Sequence, residues 1–160
     1  MARVAILTTS DKGAAGERHD ASGDLIAQRC LESGHEVTGR TLVPDDRPAI
    51  AAILAEWCDA GRADIVITTG GTGLTARDVT PEATRDVAER DVPGIPIALA
   101  ISGLQKTPYA ALTRGIAVTR GSTLIVNLPG SPKAVAEGLD VLLPLFPHIA
   151  ALLAGPLEHA

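Results

Sequence analysis

The amino-acid sequence predicts an α/β fold from its composition, its alternating segments and its length. Hydrophobic residues make up 46% of the chain but aromatic residues only 2%. The core must therefore be built from Ala, Val, Leu and Ile, as in a sheet covered by Ala-rich helices. Apolar runs of strand length alternate with segments of helical spacing. A chain of 160 residues can bury roughly two thirds of its unfolded surface, so we expect residues 1–160 to form a single domain.

Charge and cysteine content argue against several classes of protein. The net charge is -5 and no basic cluster is present, which disfavours a nucleic-acid binder. Cys30 and Cys58 stand alone, so we interpret both as packing residues rather than as parts of a disulfide or zinc site. Residues 1–9 lack the pattern of a signal peptide, and no apolar run reaches about 18 residues. We expect a cytoplasmic protein that binds neither nucleic acid nor membrane.

The first part of the chain predicts two strands and two helices. We expect a central buried strand over Arg3–Thr9, a helix from Ser22 to a stop at Gly34, a strand from His35 to Leu42, and a helix from Arg47 to about Gly61. The polar segment Lys12–Gly23 is unusually long for a strand-to-helix connection. Such loops are often functional, although a mobile surface loop is an equal alternative.

The strongest functional signal is the stretch Ile65–Pro81. A β-branched run ends in Gly70, Gly71 and Gly73, which are packed among threonines. Glycines let main-chain N–H groups approach a phosphate closely. Asp78 follows, and beside a phosphate its charge is acceptable only if a cation such as Mg²⁺ lies between them. We expect Thr80 to cap the next helix and Pro81 to be its first residue.

Known phosphate-binding motifs do not explain this stretch. Residues 71–76 satisfy the loose G-x-G-x-x-G/A pattern, but the predicted helix starts too late, and Pro96 occupies the position of the ribose-binding acid. A Walker A motif fails because no Gly-Lys-Ser/Thr follows Gly70 at the required spacing. A plain strand-to-helix turn remains an even alternative to an anion cradle.

The second half predicts one helix, two strands and a Leu-rich helical end. We expect a helix over Pro81–Arg90, strands over Ile116–Arg120 and Thr123–Leu128, and a second anion-friendly turn over Pro129–Lys133 with Ser131 as a possible helix cap. The segment Ile95–Leu104 is almost wholly apolar. It is predicted to be buried or to pack against another subunit.

Polar groups follow several predicted strands and should meet. The carboxyl ends of parallel strands share one edge of a sheet, so Ser10–Asp11, Asp45 and Thr69–Asp78 are expected to converge there. A helix cap is the ordinary role of an Asp at position 45 or 46, but two neighbouring carboxylates do not both need it. Of the histidines, His19 is interpreted as a solvated loop residue that could touch a ligand. The other three are interpreted as surface or packing residues, namely His35, His148 and His159.

Two blocks carry a resemblance to a known family. Residues 68–84, TTGGTGLTARDVTPEAT, and residues 127–135, NLPGSPKAV, resemble the molybdenum-cofactor biosynthesis family of MogA/MoaB type. The likeness extends to Ser10-Asp11, Val43–Asp46, Val92–Gly94, Lys106–Pro108 and Arg120–Leu124, and thus to nearly the whole chain. It implies a three-layer α/β/α molybdopterin-binding domain with a mostly parallel central sheet. It also implies a homotrimer, or sometimes a hexamer.

The resemblance further implies a reaction and a set of site residues. Similar members transfer AMP from ATP to the terminal phosphate of molybdopterin with release of pyrophosphate and assistance from Mg²⁺, and a molybdate-insertion protein acts downstream. Asp45 and Asp78 match the carboxylates tied to Mg²⁺ and catalysis, with Asp46 a credible substitute for Asp45. The implied molybdopterin and ATP site comprises Thr9, Ser10, Asp11, Thr69, Gly70, Gly71, Thr72, Gly73, Pro129, Gly130 and Ser131.

One block departs from the family, and other functions stay open. Relatives usually carry some polar side chains after Pro93-Gly94, whereas Ile95–Ile101 is wholly apolar, which suggests a more apolar subunit interface. An active adenylyltransferase is favoured over a non-catalytic molybdopterin-binding or scaffold module because both carboxylates are retained. A nucleotide-processing enzyme resembling the competence-damage family is a weaker alternative, because residues 127–132 count against it. Fold alone does not decide among these functions.

Overall fold

The computed structural model describes residues 1–155 and contains one six-stranded sheet. The strands are β1 (Arg3–Thr9), β2 (Glu36–Val43), β3 (Ile65–Thr69), β4 (Arg90–Asp91), β5 (Ala117–Arg120) and β6 (Thr123–Leu128). They are ordered β2-β1-β3-β6-β5-β4. The first four in this order are parallel to one another, whereas β5 and β4 each run antiparallel to a neighbour. The mostly parallel sheet is therefore confirmed.

Helices cover both faces of this sheet. They are α1 (Asp11–Ala14), α2 (Ala21–Glu32), α3 (Arg47–Asp59), α4 (Thr80–Val87), α5 (Gly94–Leu104), α6 (Pro132–Leu142) and α7 (Phe146–Leu153), with 3-10 turns at Pro108–Leu112 and Leu143–Leu145. Ile26 of α2 and Leu139 of α6 belong to one hydrophobic core. Leu54 of α3 and Ala83 of α4 belong to a second core. The three-layer α/β/α arrangement predicted from the sequence is confirmed.

Strand β1 lies between β2 and β3 and divides the two cores. Its side chains alternate in direction, so Val4 and Ile6 enter one core while Ala5 and Leu7 enter the other. All four are completely buried. The unbroken apolar run Val4–Leu7 suits this place because helices cover both faces of a parallel sheet. The prediction of a central buried strand at Arg3–Thr9 is therefore confirmed.

The strand order creates a switch point between β1 and β3. The chain leaves β1 toward β2 on one side and later returns through α3 to β3 on the other side. Thr8 is level with Thr69 in the parallel register, so the connections that begin at Ser10 and Gly70 leave the sheet side by side. Clefts for ligands form outside the carboxyl ends of strands at such a point.

Two predicted element boundaries were wrong. The segment Lys12–Gly23 is not entirely loop, since it contains most of α1 and the start of α2, which begins at Ala21 after the cap Asp20. The helix predicted over Pro81–Arg90 ends at Val87. Arg90–Asp91 instead forms the edge strand β4, because the chain at this point hydrogen-bonds with β5.

The C-terminal helices are more continuous than the sequence indicated. Through the 3-10 turn, α6 and α7 join into one helical stretch, Pro132–Leu153, which by length and composition alone could cross a membrane. Lys133, Glu137 and Asp140 interrupt this stretch, so the expectation that no unbroken apolar run reaches about 18 residues still holds. Val135, Leu139 and Phe146 are completely buried against the sheet. A helix in the core of a protein can have the same length and apolar composition as a membrane-spanning helix. His159 lies outside the described residues.

The apolar segment after Gly94 forms the helix α5, and only one side of this helix is buried. Ile95 is buried, but Ile97, Ile101 and Leu104 are 58%, 59% and 49% exposed. The prediction that the whole segment is buried within one chain was wrong, because only one side of α5 faces α6. The alternative, contact with another subunit, remains a prediction.

Candidate functional site

A cleft of about 620 Å³ opens at the carboxyl ends of the parallel strands. Its wall contains nine of the residues that the sequence singled out: Thr9, Ser10, Asp45, Thr69, Gly70, Gly71, Asp78, Gly130 and Ser131. These residues come from four separate segments of the chain. The strand order of the sheet therefore brings together residues that lie far apart in the sequence.

The floor of the cleft contains two glycine turns in close contact. Gly70 and Gly71 have φ values of +95° and +67°, in the left-handed region that favours glycine. A Cβ at Gly70 would lie 2.3 Å from Thr9 O, and a Cβ at Gly130 would lie 3.4 Å from Gly70 Cα. Side chains at these points would therefore collide with, or press against, the neighbouring main chain.

Donors for an anion are present at the first turn. Within residues 1–155, the main-chain N–H groups of Gly71, Thr72 and Gly73 make no hydrogen bond to a main-chain carbonyl. At the second turn, Ser131 caps α6 through its Oγ, which accepts from Ala134 N at 3.2 Å, and this confirms the predicted cap. A glycine turn with free N–H groups beside a helix N-terminus is suited to phosphate oxygens.

The neighbouring Asp45 and Asp46 have different roles. Asp46 caps α3, since its Oδ2 accepts from Ala49 N at 3.0 Å. Asp45 lines the cleft, and its Oδ2 accepts from Asp11 N at 3.0 Å. Burial raises the pKa of the Asp45 carboxyl, and the negative charges of Asp11 and Asp78 act in the same direction. The carboxylate at the cleft is therefore one that a cation would stabilise.

Asp78 is held by its own loop. Its Oδ2 accepts from Thr75 N at 2.9 Å and from Thr75 Oγ1 at 2.8 Å. A Cβ at Gly73 would lie 2.9 Å from this same oxygen, so glycine leaves room for the carboxylate. Because Oδ2 is engaged within the loop, Oδ1 is the atom left for a ligand.

The donors present fit Mg²⁺ better than a transition metal. Among the described residues, no group of three or more His, Cys, Asp or Glu side chains could hold a metal ion. Asp45 and Asp78 supply hard oxygen ligands in the same cleft. Mg²⁺ typically binds through one or two carboxylates, with substrate phosphates and water completing its shell.

Four predicted site residues do not line the cleft, namely Asp11, Thr72, Gly73 and Pro129. The carboxylate of Asp11 is engaged by Arg77 through two contacts of 2.9 Å and by Asp45 N at 3.0 Å. The hydrogen bond from Arg77 holds the pKa of Asp11 below its usual range. The other three support the turns through buried or main-chain contacts, namely Thr72, Gly73 and Pro129.

Thr80 does not cap α4 as predicted. The residue at the cap position is Val79, and no side chain caps this helix. The Thr80 hydroxyl is instead buried and hydrogen-bonds the Thr9 hydroxyl at 3.0 Å. This contact depends on the tertiary structure, because Thr9 lies at the end of β1, 71 residues away in the sequence.

Sequence reasoning missed a set of cleft residues from the segment after β1. Arg18, Asp20 and Ser22 line the cleft, and Ser22 Oγ donates to Gly130 O at 2.6 Å. His19 also lines it, although its side chain is 79% exposed. The unusual length of this segment was the available signal. Its side chains contribute to one wall, so the functional interpretation of Lys12–Gly23 fits the geometry better.

The fold and the cleft together define a class of protein. The chain is a doubly wound α/β protein whose cleft at the switch point contains two carboxylates and a glycine turn. Residues 5–148 match the family described as "Probable molybdopterin binding domain". The chain belongs to the molybdenum-cofactor biosynthesis family of MogA/MoaB type, as its motifs predict.

Individual relatives agree with this assignment. Molybdopterin adenylyltransferase of Helicobacter pylori strain J99 is 36% identical over 159 residues, which cover 95% of this chain and 88% of that protein. Molybdenum cofactor synthesis protein cinnamon of Drosophila melanogaster is 39% identical over 92% of this chain, but the chain spans only 25% of that protein. The structure of MoaB from Thermus thermophilus is 49% identical, covers 98% of both chains and has a TM-score of 0.91.

Proposed function

We propose that this protein is a molybdopterin adenylyltransferase. The observation that carries the proposal is the meeting of Asp45 and Asp78 with the Gly70-Gly71 turn in one cleft. Two carboxylates beside an anion cradle suit a metal-assisted reaction between phosphates. The Helicobacter pylori relative is named for this activity and is matched over 88% of its length.

The proposed reaction needs no nucleophile from the protein. A terminal phosphate oxygen of molybdopterin attacks the α-phosphorus of ATP, the bond from that phosphorus to the bridging oxygen breaks, and pyrophosphate leaves. Such transfers depend mainly on positioning and on stabilisation of charge. The main-chain N–H group of Gly71, which lines the cleft, binds and orients phosphate oxygens, and Ser131 helps to form the second turn.

Asp45 and Asp78 are the proposed ligands of Mg²⁺. When bound, the ion neutralises negative charge between these carboxylates and the phosphates. Asp11 and Asp46 have other contacts, to Arg77 and to the start of α3 respectively. Arg18 also lines the cleft, where its positive charge favours binding of an anionic substrate.

We further propose that the chain works as a single cytoplasmic domain in a homotrimer, with a hexamer as the alternative. The exposed apolar side of α5, with Ile97 and Ile101, supports contact between copies, because large exposed apolar patches usually mark interfaces. The adenylated product would pass to a molybdate-insertion protein. Sedimentation of the purified protein tests the assembly: a monomer at micromolar concentration would refute it.

AMP transfer is tested directly with purified protein, molybdopterin, Mg²⁺ and ATP labelled at the α-phosphate. We expect adenylated molybdopterin and pyrophosphate, with product lost on addition of EDTA. Asp78→Asn keeps an oxygen for Thr75 but removes the charge, so we expect turnover to fall on the order of 100-fold or more. Asp45→Asn should lower turnover to a similar extent.

The matched control is Asp46→Asn, one residue away. Asn is an equally good helix cap, so this variant should keep wild-type turnover and stability. Equal losses in Asp45→Asn and Asp46→Asn would remove Asp45 from the mechanism. Binding of active molybdopterin without AMP transfer would instead favour a binding or scaffold module. Processing of ATP without molybdopterin would favour a nucleotide-processing enzyme.

A further inference from the structure

Arg114 holds the segment that carries Asp78 at three main-chain positions. Residues 71–79, called here the Asp78 loop, contain no helix or strand. Arg114 N donates to Thr72 O at 2.9 Å, and Arg114 Nε donates to Gly73 O at 2.8 Å. At the far end of the loop, Arg114 Nη2 donates to Asp78 O at 2.9 Å. One residue therefore joins the beginning of the loop to its end.

A fourth contact anchors the guanidinium itself. Arg114 Nη1 forms an ion pair with Glu82 in the first turn of α4. The side chain thereby links the Asp78 loop to a helix that belongs to the second core through Ala83. By contrast, residues 74–77 are exposed, and the middle of the loop contacts the rest of the domain through the solvent-exposed ion pair of Arg77 with Asp11.

The contacts of Asp78 show why this link matters. Its carboxylate is held by Thr75, another member of the same loop. That bond fixes the carboxylate relative to the loop but not relative to Asp45. The loop otherwise reaches Asp45 through the exposed ion pair of Arg77 with Asp11, which in turn hydrogen-bonds with Asp45. The hydrogen bond from Arg114 to the carbonyl of Asp78 ties this residue's main chain to the rest of the domain.

We propose that Arg114 is a positioning residue that sets the Asp78 carboxylate at its working distance from Asp45 across the cleft. This inference rests on the proposed AMP transfer. Arg suits the role because its planar guanidinium carries five donors in fixed directions, whereas Lys provides a single flexible point charge. Misplacement of a reacting group by about 1 Å can lower a rate on the order of 100-fold.

The test compares Arg114→Lys with Arg120→Lys. Arg120 is a matched control, since it makes two contacts of 3.0 Å to the Asp59 carboxylate and one of 3.2 Å to Val87 O, away from the cleft. We expect Arg114→Lys to lower kcat on the order of 100-fold while KM for ATP changes less than about threefold. Arg120→Lys should leave both constants unchanged, although it loses similar contacts.

Amide hydrogen exchange gives a readout that is independent of turnover. We expect faster exchange at Thr75 and Asp78 in Arg114→Lys, by about tenfold or more, because the loop opens locally. Amides of β1 should be unaffected, which separates loss of positioning from loss of global stability. Arg120→Lys should leave the exchange of the Asp78 loop unchanged.

The outcomes distinguish the two proposals. If the wild-type protein transfers no AMP, the proposed function fails, while the exchange data still decide whether Arg114 orders the loop. Wild-type kcat together with wild-type loop exchange in Arg114→Lys would overturn the inference. Should that variant not fold, Glu82→Gln is measured instead, because it weakens the anchor of the guanidinium. A several-fold lower kcat then supports positioning, and an unchanged kcat and loop exchange contradict it.

Discussion

Replacing Gly71 with alanine tests whether the first turn of the cleft tolerates a side chain. The φ of Gly71 is +67°, which costs an L-residue roughly 1–2 kcal/mol. A Cβ at this position would lie 2.3 Å from Thr80 Oγ1 and 2.9 Å from Thr9 Oγ1. These two hydroxyls are buried and hydrogen-bond each other at 3.0 Å. The substitution therefore combines backbone strain with a clash at a buried polar contact.

The expected loss of stability follows from opposing contributions. Overpacking of a filled site costs roughly 1–3 kcal/mol, and separation of the two hydroxyls costs about 1 kcal/mol more. Alanine restricts the unfolded chain, which returns roughly 0.4–1 kcal/mol. Together with the backbone strain, the middle of these ranges predicts that the free energy of unfolding falls by about 4 kcal/mol.

Equilibrium unfolding in urea measures this loss, with Gly34→Ala as the matched control. Gly34 has a φ of +80°, and nothing lies within 4 Å of its added Cβ. This control carries the backbone strain alone and should lose about 1 kcal/mol. The difference between the variants, about 3 kcal/mol, isolates the clash with Thr80 and Thr9. Equal losses in the two variants would falsify the argument that the buried hydroxyls exclude a side chain at Gly71.

Three further predictions concern the core, the cleft carboxylate and the thiols. Phe146 is completely buried, so Phe146→Ala should lower the free energy of unfolding by roughly 3–5 kcal/mol, as measured by unfolding in urea. Burial raises the pKa of Asp45, so the stability it contributes is present at acid pH and is lost as pH rises through the folded pKa. Asp45→Asn should therefore be more stable than wild type at neutral pH but not at acid pH, as measured by thermal melting. Burial raises the pKa of Cys30 and of Cys58 to about 11, so a thiol reagent at about pH 8 should modify neither until the protein unfolds.

Each of these predictions has a contrary result. A loss below about 1 kcal/mol in Phe146→Ala would mean that the core collapses around the missing ring. An Asp45→Asn variant that melts below wild type at neutral pH would contradict a destabilising charge in the cleft. Rapid modification of Cys30 or Cys58 in the folded protein would contradict their burial.

Much of the fold was predictable because apolar patterns report directly on burial. Arg3–Thr9 is correctly predicted as a buried strand, since Val4–Leu7 is an unbroken apolar run and both faces of the strand are covered. Short edge elements were not predictable in the same way. Arg90–Asp91 is too short and too exposed to show a period, and only its pairing with β5 makes it a strand.

The candidate site was predictable to the extent that it follows strand ends. Parallel strands deliver their carboxyl ends to one edge, so Gly70, Asp45 and Ser10 were expected together. The sequence could not show that Thr80 would bond Thr9 instead of capping its helix. It also contained no local sign of Arg114, whose contact with Asp78 spans 36 residues.

By itself, the sequence determined the α/β class, the glycine turns and the family, because these depend on local composition and on spacing along the chain. The tertiary structure alone decided which carboxylate lines the cleft. Asp45 and Asp46 are equivalent in a linear pattern, but α3 begins after Asp46 and uses that side chain as its cap. Asp45 is left beside Asp11 and Gly71, since contacts between distant strands, and not the order of residues, determine what each side chain faces.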